Sequence, residues 1–236
     1  MTQQWTLDIA GCSCPLIEPE TILHELRQVF AAFQHRTDAY RHNPRNPHLC
    51  RAGCSHCCET GAFFAVSLAE ALLMALAVEA LPSDQQEHIR QAARALLHRQ
   101  QAVFARMDGP VDQAGQRDEA CFSQRISQIS RTGAGCPLLA QQLCSIYDHR
   151  PLLCRAYGFP TDAYAVETDE VIVVRSLCRL YDGMGLQEVI PGKDLKQAAF
   201  DLSYRLGGGT RWGRFTSIEA MLARVHRSTG GRGASG

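Results

Sequence analysis

A chain of 236 residues with 24 basic and 24 acidic side chains is long enough for a real hydrophobic core. It carries no net field to draw it to nucleic acid, an anionic membrane or an acidic substrate. Its 11 cysteines are odd in number, which excludes a complete disulfide framework but sets no limit on metal ligation.

Residues 1–10 contain no Lys or Arg, include Asp8 and lack an apolar run of the length an export signal needs, so the expected address is the cytoplasm. Ile9-Ala10-Gly11-Cys12 imitates a lipoprotein cleavage box, but the charged start and apolar segment that should precede it are missing. Cys12 and Cys14 are therefore read as intracellular thiols, ordinary residues of a flexible arm in preference to spare ligands. From Pro19 to about Tyr40, Ile22, Leu26, Val29 and Phe33 recur at helical spacing with Glu20 near the start, which predicts an amphipathic helix. Asn43-Pro44-Arg45-Asn46-Pro47 ends it in a rigid turn.

Beyond the first cysteines, Gly61 to Val66 is an apolar run too short to classify. Ser67 with Glu70 then forms a capping box that opens SLAEALLMALAVEAL, and Pro82 closes it. That segment is apolar nearly all round, yet it falls short of the roughly 20 uncharged residues of a membrane span and reads as a buried helix. Ser83 with Gln86 repeats the box, and Ile89, Ala93, Leu96, Leu97 and Phe104 carry a second helix to about Met107, giving an antiparallel hairpin over 67–107. Residues 108–118 read as a linker or exposed loop.

After this, Pro137, Pro151 and Pro160 punctuate short pieces, with a brief helix from Pro151 to Tyr157. Val171-Ile172-Val173-Val174 is the one convincing strand, and Lys193 to Leu206 reads as a final packing helix. The end turns basic, with arginines at 205, 211, 214, 224, 227 and 232 around Gly207-Gly208-Gly209 and Trp212. A solvated terminus is expected there in preference to an RNA-binding or partner-binding arm. The fold class is mainly α with a few short strands, helices being packed around a loop-built cysteine metal site. Residues 1–49 form an arm and helix, 50–206 the cysteine-cluster domain, and 207–236 a Gly/Arg-rich tail.

The run CRAGCSHCCETG places Cys50, Cys54, Cys57 and Cys58 within nine residues, a density that packing does not explain. Thiolates at 50, 54 and 57 on one turn-rich loop can converge on a single ion, with Gly53 allowing a tight backbone approach. Cys57 and Cys58 are adjacent and must diverge somewhat; if both ligate, they serve different metals or different edges of one cluster, which makes Cys58 the weakest of the four candidates. Cys136, Cys144 and Cys154 answer them downstream, with Cys178 beyond, and joining the blocks closes a loop between residues that stand 78 positions apart, 58 and 136. Four thiolates on one Zn²⁺ carry a net charge of about −2, which Arg150 and Arg155 stand near enough in sequence to offset, although both read equally well as surface arginines. Cys121 is expected to be a small buried hydrophobe, and His56 to lie beside the ligands or exposed. Such a thiol set suits both iron–sulfur and zinc.

These motifs, Cys50-x₃-Cys54-x₂-Cys57-Cys58, Cys136-Pro137-x-Leu139 and Cys144-Ser145-Ile146-Tyr147-x₂-Arg150-Pro151-x₂-Cys154-Arg155, resemble those of the YkgJ-type cysteine-cluster proteins over roughly residues 50–180. The resemblance implies zinc or iron chelation by the cysteines. Similar domains occur in a flagellin lysine methylase linked to an iron–sulfur cluster, which tilts the expectation to iron–sulfur over zinc. The leading expectation is a cytoplasmic metal-binding protein of redox, regulatory or structural role, serving an unidentified protein or redox partner and neither membrane nor nucleic acid. An iron–sulfur enzyme of methyltransferase-related or radical type is the first alternative, although the repeated strand–helix pattern of a barrel is missing. A zinc-stapled interaction module is the second.

Overall fold

The computed structural model describes residues 3–46, 50, 53–60, 64–105, 135–164, 171–174, 178, 180, 188–210 and 215–229. Cys121, the expected linker at 108–118 and Arg211, Arg214 and Arg232 lie outside them.

The chain opens as a β-hairpin. Trp5, Leu7 and Ile9 alternate inward on β1 (Gln3–Ile9), and Cys14 and Leu16 do so on β2 (Cys12–Leu16), with Trp5 paired to Leu16 and Leu7 to Cys14. Ala10 and Gly11 turn the corner at φ 52 and 80, the left-handed pair that a two-residue hairpin requires. The four residues that imitate a lipoprotein box are thus the hairpin end, and the expected flexible arm is an ordered edge of the core with Cys14 fully buried.

Helix α1 (Pro19–His42) matches its predicted span, but its buried stripe is Ile22, Leu23, Leu26, Phe30, Phe33, Thr37 and Tyr40, with Val29 only partly covered. After the short α2 (His56–Glu59) and the two-residue strand β3 (Ala65–Val66), α3 (Leu68–Glu79) runs through the centre of the molecule. It is buried at nearly every position, as its all-round apolar sequence requires. Both halves of the Ser67–Glu70 capping box are formed.

Helix α4 (Ser83–Ala105) follows, with a start that differs from the expectation. Ser83 is already helical, and the Gln86 side chain turns back to donate to the carbonyls of Glu79 and Leu81, closing the end of α3 instead of making a second box. The two helices expected as a hairpin follow each other across residues 80–82, and each finds its main packing partner elsewhere. α3 packs on α6 (Lys193–Leu206), and both α3 and α4 pack on α7 (Ser217–Leu222), a helix that falls inside the expected tail.

The second cysteine region is built from short pieces: β4 (Leu139–Ala140), β5 (Leu143–Cys144), a 3₁₀ turn at Tyr147–His149, α5 (Leu152–Ala156), and β6 (Thr161–Tyr164) paired with β7 (Val171–Val174). Asp162 on β6 accepts from the backbone N–H groups of Gly192 and Lys193 and thereby opens α6. α6 is tied to α1 by bidentate Arg36–Asp194 and Arg205–Glu25 pairs.

The chain closes with β8 (Phe215–Thr216), α7 under its own Thr216–Glu219 capping box, and β9 (Arg224–Thr229), which adds to β1 in the order β2-β1-β9. Residues 215–229 are therefore structural, against the expected solvated tail. The fold is mainly helical with short strands, as expected. Among the described residues no helix is long and apolar enough to cross a membrane.

Candidate metal centre

The first cysteine block lies where the chain leaves α1. Gly53 sits at φ +83, a left-handed conformation that only glycine adopts without strain, and an added Cβ would meet nothing within 4 Å. The turn it makes leads through Cys54 into α2, which carries Cys57 and Cys58 on one helical turn with their sulfurs 4.0 Å apart. His56 is the first residue of that helix, and its carbonyl accepts from Thr60.

The second block meets the first through the backbone. The Cys136 N–H donates to the Cys58 carbonyl at 2.7 Å, and the Cys136 carbonyl in turn accepts from Leu139. From there β4 and β5 form a tight hairpin whose corner residues, Gln141 and Gln142, both take left-handed φ values of 49 and 64. Two non-glycine residues in that region mark a strained turn. It returns Cys144 opposite Leu139, and the Ser145 N–H and hydroxyl both donate to the Leu138 carbonyl.

Cys154 lies on α5, whose first N–H, that of Leu152, is received by the carboxylate of Glu70 at 2.8 Å. Gly158, just past that helix, lies against Cys50: a Cβ on it would stand 2.5 Å from Cys50 Cβ and 2.8 Å from its Sγ. Cys50, Cys54, Cys57, Cys58, Cys136, Cys144 and Cys154 thus come from two separated stretches to one region. Cys178 is buried beyond β7, 5% exposed.

The thiols act on one another as close neighbours do. Burial raises Cys50, aided by Cys54 and Cys57, and burial raises Cys144 and, far more strongly, Cys154. A contact with Cys58 and then burial push Cys57 up, and Cys58 is pushed up to about 12, first by its contact with Cys136.

Against these effects stands Arg150. Its positive charge favours the thiolates of Cys50, Cys57, Cys144 and Cys154, drawn from both blocks. Its guanidinium is 3.7 Å from the centre of the Tyr147 ring, and its Nε donates to the Tyr147 carbonyl at 3.2 Å. Arg155 acts on Cys144 in the same sense. It is pinned by the carbonyls of Arg150 and Asp148 and lies over the Phe30 ring of α1, and burial lowers its own pKa. Both arginines are held by ring and carbonyl contacts, and their charges act on the cysteines in the sense that offsets thiolate charge.

Among the described residues, no three His, Cys, Asp or Glu side chains stand close enough together to hold an ion as they are placed. The donor set nevertheless fits a thiophilic metal in kind. Its members are soft sulfurs, none of the described cysteines is in a disulfide, and guanidiniums are at hand to balance thiolate charge. The 4.0 Å between the Cys57 and Cys58 sulfurs is near the edge of about 3.8 Å that a tetrahedron with Zn–S of about 2.3 Å demands.

Gly158 and Glu70 are the positioning residues that sequence reasoning gave no such role. Gly158 closes the run CRAYG, and its signal was only a glycine after the last cysteine motif. Glu70 had been assigned its cap alone.

One family model matches residues 49–179, more than half of the chain, and is described as "CxxCxxCC: Putative zinc- or iron-chelating domain". No curated protein and no solved structure matches the chain.

Proposed function

The chain belongs to the CxxCxxCC family of zinc- or iron-chelating domains, and from that premise we propose a metal-binding protein whose ligands are drawn from both cysteine blocks. Cys50, Cys54, Cys57, Cys58, Cys136, Cys144, Cys154 and Cys178 are the assigned set. The observation that carries the reading is the Cys136 N–H donating to the Cys58 carbonyl at 2.7 Å, a direct link between two motifs far apart in sequence.

An iron–sulfur cluster is the preferred occupant. All-thiol donors and a surrounding of fixed positive charge suit a cluster that is itself anionic. When bound, such a group supplies one-electron redox chemistry. The chain's part is to gather the thiols, withhold them from bulk water and offset their charge through Arg150 and Arg155. The role assigned is redox, regulatory or structural, in the cytoplasm, toward a protein partner. No reaction is assigned.

Zinc is the second reading, favoured by the 4.0 Å spacing of the Cys57 and Cys58 sulfurs. Purification without oxygen, followed by iron, sulfide and zinc analysis and a visible spectrum, separates the two. The expected result is a brown protein containing iron and sulfide. A colourless one with stoichiometric zinc would transfer the assignment to zinc, and a preparation that neither carries nor takes up either metal would overturn the proposal.

A further inference from the structure

The helix that carries Cys154 is held at both ends by one short segment of chain. At its start, the Leu152 N–H of α5 is received by Glu70. At its end, the Tyr157 ring meets the Phe64 ring edge to face, with centroids 5.4 Å apart and planes at 76°. Tyr157 joins α5 to Gly158, the residue packed against Cys50. Phe64 thus bears on the link between a helix of the second cysteine block and a cysteine of the first.

Phe64 is itself anchored from far along the chain. Its N–H donates to the Ser217 hydroxyl at 3.3 Å, and its carbonyl accepts from the Ser217 N–H at 2.9 Å. Immediately after it, Ala65 pairs with Thr216 and Val66 with Phe215. Ser217 opens α7, and α7 leads into β9, the strand that adds to β1. Residues 215–229 lie beyond the family match at 49–179, yet they fix the backbone on which the Phe64 ring is mounted.

The ring contact is buried on the Phe64 side, 8% exposed, and each ring limits where the other can stand. A helix as short as α5 takes its position from such contacts. Ordering it around a metal presents Tyr157 firmly to Phe64, and the effect is reciprocal because coupling free energies are.

We propose that the Phe64–Tyr157 contact couples metal occupancy to the C-terminal unit 215–229: a loaded cysteine centre tightens that unit, and the ordered unit favours the loaded centre. The coupling rests on the metal-binding reading above and adds to it a control point outside the family domain, since anything that loosens 215–229 then weakens metal retention.

The test is residue-resolved amide hydrogen exchange of the full reduced chain without oxygen, metal-free and saturated with Co²⁺, whose absorption bands report occupancy. Loading is expected to slow exchange of the Ser217 and β9 amides about tenfold. Phe64→Leu keeps an apolar side chain but removes the ring, and there the slowing should fall below about threefold while the Kd for Co²⁺ rises severalfold. Tyr157→Leu should do the same, and the double variant no more than either alone. A contact of purely structural value would speed exchange alike in both states and leave the metal-dependent slowing at its wild-type size. If Phe64→Leu does not fold, Tyr157→Leu takes its place. A wild-type chain whose 215–229 amides exchange equally with and without metal would overturn the inference, and so would a folded variant that keeps the full slowing. A wild-type chain that takes up no Co²⁺ would remove the metal-binding reading itself, which is a distinguishable result.

Discussion

Glu70 and Leu152, 82 positions apart, share a hydrogen bond in which the buried carboxylate receives the first N–H of α5 at 2.8 Å. The other oxygen of Glu70 closes the capping box with Ser67. One side chain therefore starts two helices, the central α3 and the short α5 that carries Cys154. Because α5 is too short to be stable alone, its position depends on this contact.

Glu70→Ala removes a cap worth about 1 kcal/mol and leaves a buried N–H unsatisfied at about 1–3 kcal/mol. The expected loss is about 2–4 kcal/mol in urea unfolding of the metal-free chain, with weaker metal retention in the loaded one. A variant that unfolds at the wild-type midpoint would show that the link carries no energy.

Cys54→Ser and Cys154→Ser should behave alike, each lowering metal content and unfolding much of the domain. Even a fraction of the roughly 10–16 kcal/mol of a structural zinc site rivals a stability margin of about 5–15 kcal/mol. Cys14→Ser should differ. The thiol is fully buried opposite Leu7, so a hydroxyl there is expected to cost about 1–3 kcal/mol while metal stoichiometry stays intact. Thermal melting paired with metal analysis checks all three. Full metal and normal melting in Cys154→Ser alongside losses in Cys54→Ser would mean that the blocks do not share a site.

Gly158→Ala and Gly53→Ala separate two uses of glycine. The first drives a methyl group to 2.8 Å from Cys50 Sγ and must displace that side chain, so metal content should fall severalfold. The second has open space but a φ of +83, and should cost about 1–2 kcal/mol of backbone strain with metal binding largely kept. Equal metal content in the two variants would contradict the assignment of Cys50 as a ligand.

Metal uptake should release protons. Cys50, Cys57, Cys58, Cys144 and Cys154 all have pKa values raised above the ordinary thiol value, so each is neutral near pH 7 in the metal-free chain and must lose its proton to ligate. Affinity should therefore rise with pH across the neutral range, by up to about tenfold per pH unit for each proton released. A pH-stat during zinc addition counts the protons, and uptake without acidification would exclude those thiols as ligands.

The parts of the fold legible in the sequence are those specified by local chemistry. The apolar spacing of α1, the Ser67–Glu70 box and the Lys193–Leu206 helix are all local signals. The β1–β2 hairpin was legible locally, since Trp5, Leu7 and Ile9 alternate before an Ala10-Gly11 turn, whereas β9 was not, because it lies at the far end of the chain behind an arginine-rich composition. Arg227 is paired with Trp5 and lies over its ring, so a residue that reads as part of a solvated tail covers the indole. At the centre, the cysteine spacing identified the sulfurs, while Gly158 and the second bond of Glu70 act through tertiary approach alone. Nothing in their local sequence marks that.

The pairing of Gln3 with Thr229 puts the start of β1 beside the end of β9 in an antiparallel ladder, and this sets how the molecule bears tension. A pull that separates those two residues loads the hydrogen bonds one after another, as in a zipper, instead of all together in shear. The sheet should open at low force, before the helices yield, and β1 would carry the cover of Cys14 away with it. In a single-molecule stretching trace this would register as a small early extension preceding the main rupture of the cysteine region.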